Sequence, residues 1–366
     1  MTSDRRILTQ HALTGQWLTH NLPLTDLEYG PDLNGPGTLT GTLTPRLASQ
    51  SLNLVDPATT FIYVEESGEI TWGGLIWDAR PEGDSLTIEA ASWSSYLHRR
   101  HDLDGNLGGR GPYTNTDRTT VMRDIWAYAQ SIADGNLGVL VDTTTSTSTI
   151  GTPADPYKFN AWETPNLGEK LDELADGDAT PDYTCTTEWN ATRTAVVKRL
   201  RIGWPRLGAR RTDISFVSGV NVLGNPQIVM SGDDYAQVVI ASGQGDGSAK
   251  RRQTSAVRDG RLRMEHVLDL PDIKANDVLA ARAARERIRR QRLGTVTEVT
   301  VRDHPAAPLG SWQVGDDIYT RIYNAWTTYT GWCRITGWTT RPDSDGGPQA
   351  TVQLAPADSY QYGGTI

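Results

Sequence analysis

TVTEVTV (Thr295–Val301), QVGDDIYTRIY (Gln313–Tyr323), YTGWCRITGWTT (Tyr329–Thr340) and QATVQL (Gln349–Leu354) follow one another near the end of the chain. Each stretch is rich in β-branched or aromatic residues, and each gap carries Gly, Pro, Asn or Asp, as in the HPAAP loop after the first. That alternation predicts a meander of short antiparallel strands. A helix is predicted just before it, over Asn276–Leu293, with Asp277 in its first turn and Gly294 past its end. Ala281, Ala284 and Ile288 form its expected apolar stripe, and arginines 282, 285, 287, 289, 290 and 292 fill much of the rest. So narrow a stripe buries little area, and the helix needs a tertiary neighbour to persist.

Upstream, ISFVSG (Ile214–Gly219), PQIVMSG (Pro226–Gly232) and YAQVVIASG (Tyr235–Gly243) read as further strands. Tyr235–Ala241 is almost continuously apolar, which predicts a strand buried on both faces. The N-terminal part is β-rich in the same way. Gln16–Leu22, Thr25–Tyr29 and Thr38–Leu43 are short strand candidates; TFIYVEE, the Ser67-Gly68 turn, EITWGGLIWDAR and LTIEAASW read as a hairpin extended to a meander. Gly73-Gly74 inside it implies a bulge or a close backbone approach. Between these parts lie two expected helices, Asp117–Gln130 and Leu167–Ala175, a Thr/Ser-rich stretch at Thr143–Pro153 read as an exposed loop or mobile linker, and the strands DYTCTTEW and TAVVKRLRIGW.

The expected fold is therefore mainly β with α+β inserts: two related β-barrel-like modules and two smaller peripheral domains. The boundaries are 1–100 for the first module, 101–195 for an α+β insert, 196–245 with 294–366 for a discontinuous second module, and 246–293 for a small insert with the arginine-rich helix. A length of 366 residues suits several domains of about 100–200 residues each.

Composition narrows function. The chain is 37% hydrophobic and 22% charged, which favours an extended body with much surface. Twelve Trp and 13 Tyr stand against three Phe, a bias toward side chains with an apolar body and a polar handle, suited to interfaces. A net charge of −9 argues against a general nucleic-acid binder. Cys185 and Cys333 are too far apart to form a metal or redox motif. The first 15 residues lack an apolar signal core, and no run of about 18 apolar residues offers a membrane span. The expectation is a soluble protein made in the cytoplasm.

No cofactor, metal site or catalytic residue is expected. None of His11, His20, His98, His101, His266 and His304 sits in a catalytic context, and no G-x-S-x-G occurs. His98 and His101 are spaced to share a helix face, but they sit at a domain exit. Asp102-Leu103-Asp104-Gly105-Asn106 resembles part of a calcium loop, yet Tyr113 stands where the loop would need Glu. Gly243–Gly247 lacks the Lys-Ser/Thr of a phosphate loop and reads as a turn. Asp233-Asp234 and Asp316-Asp317 lie where turns lead into strands. The arginine helix reads first as a solvated face, then as a contact for an acidic partner or a neighbouring subunit, and last as a nucleic-acid contact, which the −9 net charge disfavours. The interface candidates are Trp72, Trp77, Trp332, Trp338, Arg282, Arg285 and Arg289.

FIYVEESGEITWGGLIWDAR, LTIEAASWSSYLHRRH, VVIASGQGDG and the closing helix–strand–GDDIYTRI–GWCRITGW–QATVQL series, in that order, resemble minor tail proteins of long-tailed actinobacteriophages. The likeness is to the baseplate hub family, whose fold is shared with contractile tails and type VI secretion spikes. Trp72, Gly74 and Ile76, then Leu97, Arg99 and Arg100, then Gly315, Asp316 and Ile318 carry it. The resemblance implies a homotrimer whose two modules alternate in a pseudo-sixfold ring at the tail tip of a virion. It implies a distal tail ring above, tip or fibre proteins below, and the tape measure protein in a lumen through which DNA passes without specific binding. The chain ends soon after its last strand, which implies a bare hub without fibre or lytic modules. Two other readings remain: a receptor- or carbohydrate-binding tail protein with an exposed Trp row (Trp312, Trp326, Trp332, Trp338), and a cell-wall hydrolase, for which no motif is present.

Overall fold

The computed structural model describes residues 5–44, 52–177, 180–271, 273–291, 294–342 and 347–357. The first module contains β1 (Arg5–His11), β2 (Trp17–Thr19), β3 (Leu24–Gly30), β4 (Thr38–Leu43), β5 (Thr60–Glu66), β6 (Glu69–Glu82) and β7 (Ser85–Ala91). Ser67 and Gly68 both take positive φ, so the β5–β6 turn matches the strand twist and fixes the register Glu66↔Glu69. β6 is bulged at Thr71 and at Trp77, on either side of the two glycines. The glycines themselves mark the close approach: a Cβ on Gly74 would lie 2.4 Å from the Ala91 carbonyl oxygen.

Burial is continuous along β5 from Thr60 to Glu65. Ile62 and Val64 pack with Ile7, Trp72 and Ile76 on one face. Phe61 and Tyr63 pack on the other face with Trp93 and Leu97, and with side chains of the following insert. The core of the first module thus runs on into the insert.

That insert holds β8 (Thr116–Asp117), α1 (Arg118–Ser131), β9 (Val139–Val141), β10 (Thr149–Ile150), α2 (Leu167–Ala175), β11 (Asp182–Trp189) and β12 (Val196–Gly203). Asp117 caps α1 through the Thr119 amide at 2.9 Å, and the expected stripe Val121, Ile125 and Tyr128 is buried. The Thr143–Pro153 stretch is tethered rather than a free linker. Ser146 bonds the Asp117 carboxylate through its amide (2.8 Å) and its hydroxyl (2.6 Å), and β10 pairs with β8. β12 pairs along its whole length with β11, so it belongs to the insert and not to the second module.

The second module contains β13 (Arg210–Val217), β14 (Val222–Leu223), β20 (Glu298–Arg302), β21 (Asp317–Tyr323), β22 (Thr328–Arg341) and β23 (Gln349–Pro356). The meander expected from the sequence is present as β20–β23. Two barrel-like modules were the expectation; among the described residues the strands instead form one 13-stranded sheet, with no closed barrel. Its order is β14-β20-β23-β22-β3-β4-β7-β6-β5-β1-β2, and β21 attaches β13 to β22. The modules fuse where β22 meets β3 at Thr340↔Tyr29. Gly30 permits this join, because any Cβ there would sit 1.6 Å from the Trp338 carbonyl oxygen.

A small piece branches from this module. β15 (Val229–Met230) and β19 (Gly294–Thr295) pair as its neck. β16 (Val238–Ser242) pairs with β17 (Arg252–Ala256) and β18 (Glu265–Asp269), and α3 (Asn276–Arg290) covers one face of that sheet. The expected boundary at residue 245 therefore falls inside a sheet, and β16 does not contribute to the second module. The expected helix stripe is also corrected. Leu279 and Ala283 are the buried residues of α3, whereas Ala281 and Ile288 are exposed. The stripe follows the one bulky aliphatic residue that meets Val239 and Ala241 of β16. Arg292 and Leu293, expected in this helix, lie outside the described residues. No helix among the described residues is long and apolar enough to cross a membrane.

Candidate functional site

The densest polar constellation lies where the first module, the α+β insert and the second module meet. Asp182 opens β11, Arg206 and Leu207 follow the loop after β12, Asp316 and Asp317 open β21, and Arg334 sits in β22. All four charged groups Asp182, Asp316, Asp317 and Arg334 are buried. The Asp182 carboxylate accepts from the Arg334 guanidinium at 2.5 Å and from the Leu207 amide at 2.8 Å. Its other oxygen accepts from the Asn34 amide group of the β3–β4 loop at 3.3 Å. One carboxylate thereby touches all three parts of the chain.

Around it the remaining charges are closed. Arg206 donates to Asp317 at 2.5 Å and to the Gly315 carbonyl at 2.7 Å. Asp316 accepts from the amides of Ala209 (2.9 Å) and Gln313 (3.1 Å), with Arg211 at 3.4 Å. Burial pulls the Arg206 guanidinium below its usual range, with Asp317 opposing that shift. Gly315 takes φ +89° and leaves room for the Leu207 carbonyl, 2.6 Å from where a Cβ would stand. The 30–37 loop, GPDLNGPG, completes the joint: the Asn34 amide donates to the Tyr183 carbonyl at 2.8 Å, the Tyr183 amide donates to the Asn34 side-chain Oδ1 at 2.7 Å, and the Thr184 hydroxyl donates to the Asp32 carbonyl at 2.9 Å. Asp32 itself is pushed up to about 6 by burial beside Gly337. Each carboxylate of the cluster is met by donors from the chain itself. The cluster is a lock between modules.

The sequence reading of Asp316-Asp317 as a turn captured the backbone and missed the lock. A signal was present in Arg334, a charge set among the apolar positions of β22.

The interface candidates are dispersed. Trp72 is corrected to a core residue: it is buried, and its indole donates to the Gly30 carbonyl at 3.1 Å, bracing the β3 end of the module join. Trp77 is half-buried, bonded to Ser95 at 2.8 Å, with the Arg99 guanidinium 5.4 Å above its ring. Trp332 stands edge-on to Tyr319 at 5.4 Å, with Arg210 above it at 4.7 Å. Trp338 packs against buried Trp312 at 6.4 Å. Trp326 alone of the four C-terminal tryptophans is fully exposed, at 94%, so they do not form an exposed row. On α3, Arg282 and Arg285 are half-buried, and Arg289 is exposed and paired with Glu286 at 2.6 Å.

The motifs weighed for chemistry have structural partners. His98 lies 3.4 Å from Asp172. Asp102 is buried and accepts from the amides of Asp104, Gly105 and Leu107, so it organises its own loop. Among the described residues, no three His, Cys, Asp or Glu side chains gather as a metal site. Lys198 was not singled out by sequence. Its ammonium lies 3.9 Å from the Phe61 ring centre and donates to the Leu137 carbonyl at 2.6 Å, and burial pulls it down to about 8.

No family model and no curated protein matches this chain. Solved structures do. The 43 kDa tail protein of prophage MuSo2 from Shewanella oneidensis superposes with a TM-score of 0.60 at 17% identity, over 97% of this chain and 99% of that one. The fold is that of a tail protein. A tail protein from Neisseria meningitidis MC58 matches with a TM-score of 0.55 at 13% identity, covering 95% of this chain and 96% of its own. A prophage tail protein from Listeria monocytogenes EGD-e matches with a TM-score of 0.54 at 10% identity, covering 95% and 94%. The shared tail-protein fold therefore extends from end to end, modules and inserts together.

Proposed function

We propose that this chain is a structural subunit of a phage tail tip: a homotrimeric baseplate hub that continues the tail tube and lets DNA pass, without catalysis. The observation that carries the reading is the end-to-end fold likeness to tail proteins, which spans both modules and both inserts. The locked junction supports it physically, since a load-bearing ring needs its modules held in one fixed arrangement. The neighbours in this reading are a distal tail ring, the tape measure protein in the lumen, and tip or fibre proteins below. The place of work is the virion.

Of the interface candidates, Trp77, Trp332 with Arg210, Trp338 and the α3 arginines Arg282, Arg285 and Arg289 are assigned to contacts between copies or with neighbours. Aromatic and arginine side chains are the residue types that dominate such contacts. The lumen face is expected to be net negative, because an acidic wall repels DNA phosphates instead of trapping them. Mass measurement and electron microscopy of the purified chain test the reading. Rings of three copies are expected; a monomer at every concentration, or rings whose lumen is lined mainly by arginine, contradict it.

A further inference from the structure

Among the described residues of 229–293, the buried apolar cluster is small. Five buried side chains form the core of this piece, Ala236, Val239, Ala241, Leu279 and Ala283. Eight large hydrophobic side chains of the same segment are exposed, Leu262 at 79%. A core this small with that much apolar surface is closed by contact with something else. Met230, Tyr235, Leu262 and Met264 line a hollow of about 410 Å³ with Arg261 at its rim. A second hollow, of about 560 Å³, shares Arg261 and adds Arg258 and Arg263. Arg261 lies 3.7 Å from Asp259 and 5.6 Å over the Tyr235 ring, and Arg263 lies 2.6 Å from Glu265, so the hollows offer apolar surface first and half-exposed arginines that can meet a further acid.

The chain itself carries apolar bulk beside acids on another part. In the α+β insert, Leu103 is 70% exposed and Trp162 is 82% exposed. Each has an exposed acid as its chain neighbour, Asp104 and Glu163. Their two loops are held side by side: the Asn106 amide donates to the Phe159 carbonyl at 2.7 Å, and a Cβ on Gly105 would touch that of Ala161 at 3.1 Å. The Asp102 carboxylate braces one loop, and the Asn160–Glu163 bond at 3.1 Å braces the other. The wider charge agrees. Residues 101–203, the insert with β12, hold 15 acidic and nine basic side chains, whereas residues 229–293 hold 13 basic and nine acidic.

We infer that the Leu103–Trp162 knob of one copy seats in the Met230–Leu262–Met264 hollow of a second copy, with Asp104 and Glu163 facing the rim arginines. Knob and hollow are different patches, so the contact is head-to-tail and can close into a ring of copies. An exposed tryptophan entering an arginine-rimmed apolar pocket is the composition of an interface hot spot. The inference rests on the proposal that copies of this chain assemble, and it names a contact made by the two inserts rather than by the β-modules.

The test uses the full-length chain. Glu163→Cys and Ser231→Cys, made separately, leave Leu103, Trp162 and the apolar side chains of the hollow in place. Under oxidation their mixture is expected to give a disulfide-linked pair that neither variant nor the wild type gives alone. Trp162→Ala and Arg261→Glu are each expected to raise the midpoint concentration of assembly about tenfold or more, with unchanged circular dichroism and Tm. Glu163→Arg combined with Arg261→Glu is expected to recover part of that loss. Normal assembly of both single variants, with no mixed disulfide, overturns the contact and leaves the ring reading standing. A wild-type chain that remains monomeric at all concentrations overturns both.

Discussion

The buried junction and the small arginine-rich piece use charge in opposite ways. At the junction, Asp182, Asp317, Arg206 and Arg334 are enclosed, and each is matched at 2.5 Å by a partner from another part of the chain. On α3, exposed Arg289 and half-buried Arg290 share half-buried Glu286, on a piece whose core is five side chains. The first arrangement holds the chain to itself. The second leaves charge and apolar surface facing outward. Desolvation separates them: a buried ion is costly unless every partner is in place, whereas a solvated one is worth little on its own.

The comparison breaks first at Arg334. Arg334→Ala strands Asp182 inside the junction and is expected to cost about 3–5 kcal/mol in denaturant unfolding. Combining Arg334→Met with Asp182→Asn is expected to recover most of that. If Arg334→Ala is as stable as the wild type, the junction is not a lock.

Lys198 sharpens the same point without an ion pair. Its folded value of about 8 lies below the ordinary 10.5 of a lysine. Between those values the unfolded chain holds a proton that the folded chain has released, so stability rises with pH across that window. Relative to Lys198→Met, the wild type is expected to gain about 1–2 kcal/mol between pH 8 and 10, a figure already reduced for partial solvent access. Parallel pH profiles of the two proteins contradict the buried-charge account.

Asp32, beside the junction, has the opposite sign. Its carboxyl is raised to about 6 from 3.8, so the folded chain prefers it protonated, and the favourable contribution present below about pH 4 is lost as pH rises through 6. Asp32→Asn is expected to be more stable than the wild type at pH 7 by about 1 kcal/mol. That gap closes as pH falls from 6 to 4, which thermal melts across the range check. The smallest effect belongs to the other side of the comparison: Arg282→Ala is expected to change stability by less than about 0.5 kcal/mol.

Strands and helices with local signals were legible in the sequence. TFIYVEE is β5 as read, and LGEKLDELA is α2 as read, because hairpin turn, cap and apolar period agree over those residues. What failed was long-range. The burial expected over Tyr235–Ala241 is present at every residue but Ile240; the second face of β5 went unread, because an insert far along the chain covers it. Strand pairing was long-range in the same way. β16 and β12 read like any other strand, and only their pairing partners place them in the small piece and in the α+β insert. The join of the modules depends on Gly30, the last residue of β3, and only the distant Trp338 carbonyl shows why no side chain fits there. The junction stayed hidden because its members are spread from Asn34 to Arg334.

The role proposed for this chain is that of a ring-forming structural protein of a tail tip. Cryo-electron microscopy of the purified full-length chain, at a concentration where its mass is measured in parallel, tests that most directly. The account predicts a closed ring of three copies around an acidic lumen, with the junction of each copy intact. A population that is monomeric by mass and shows no ring at any concentration contradicts it.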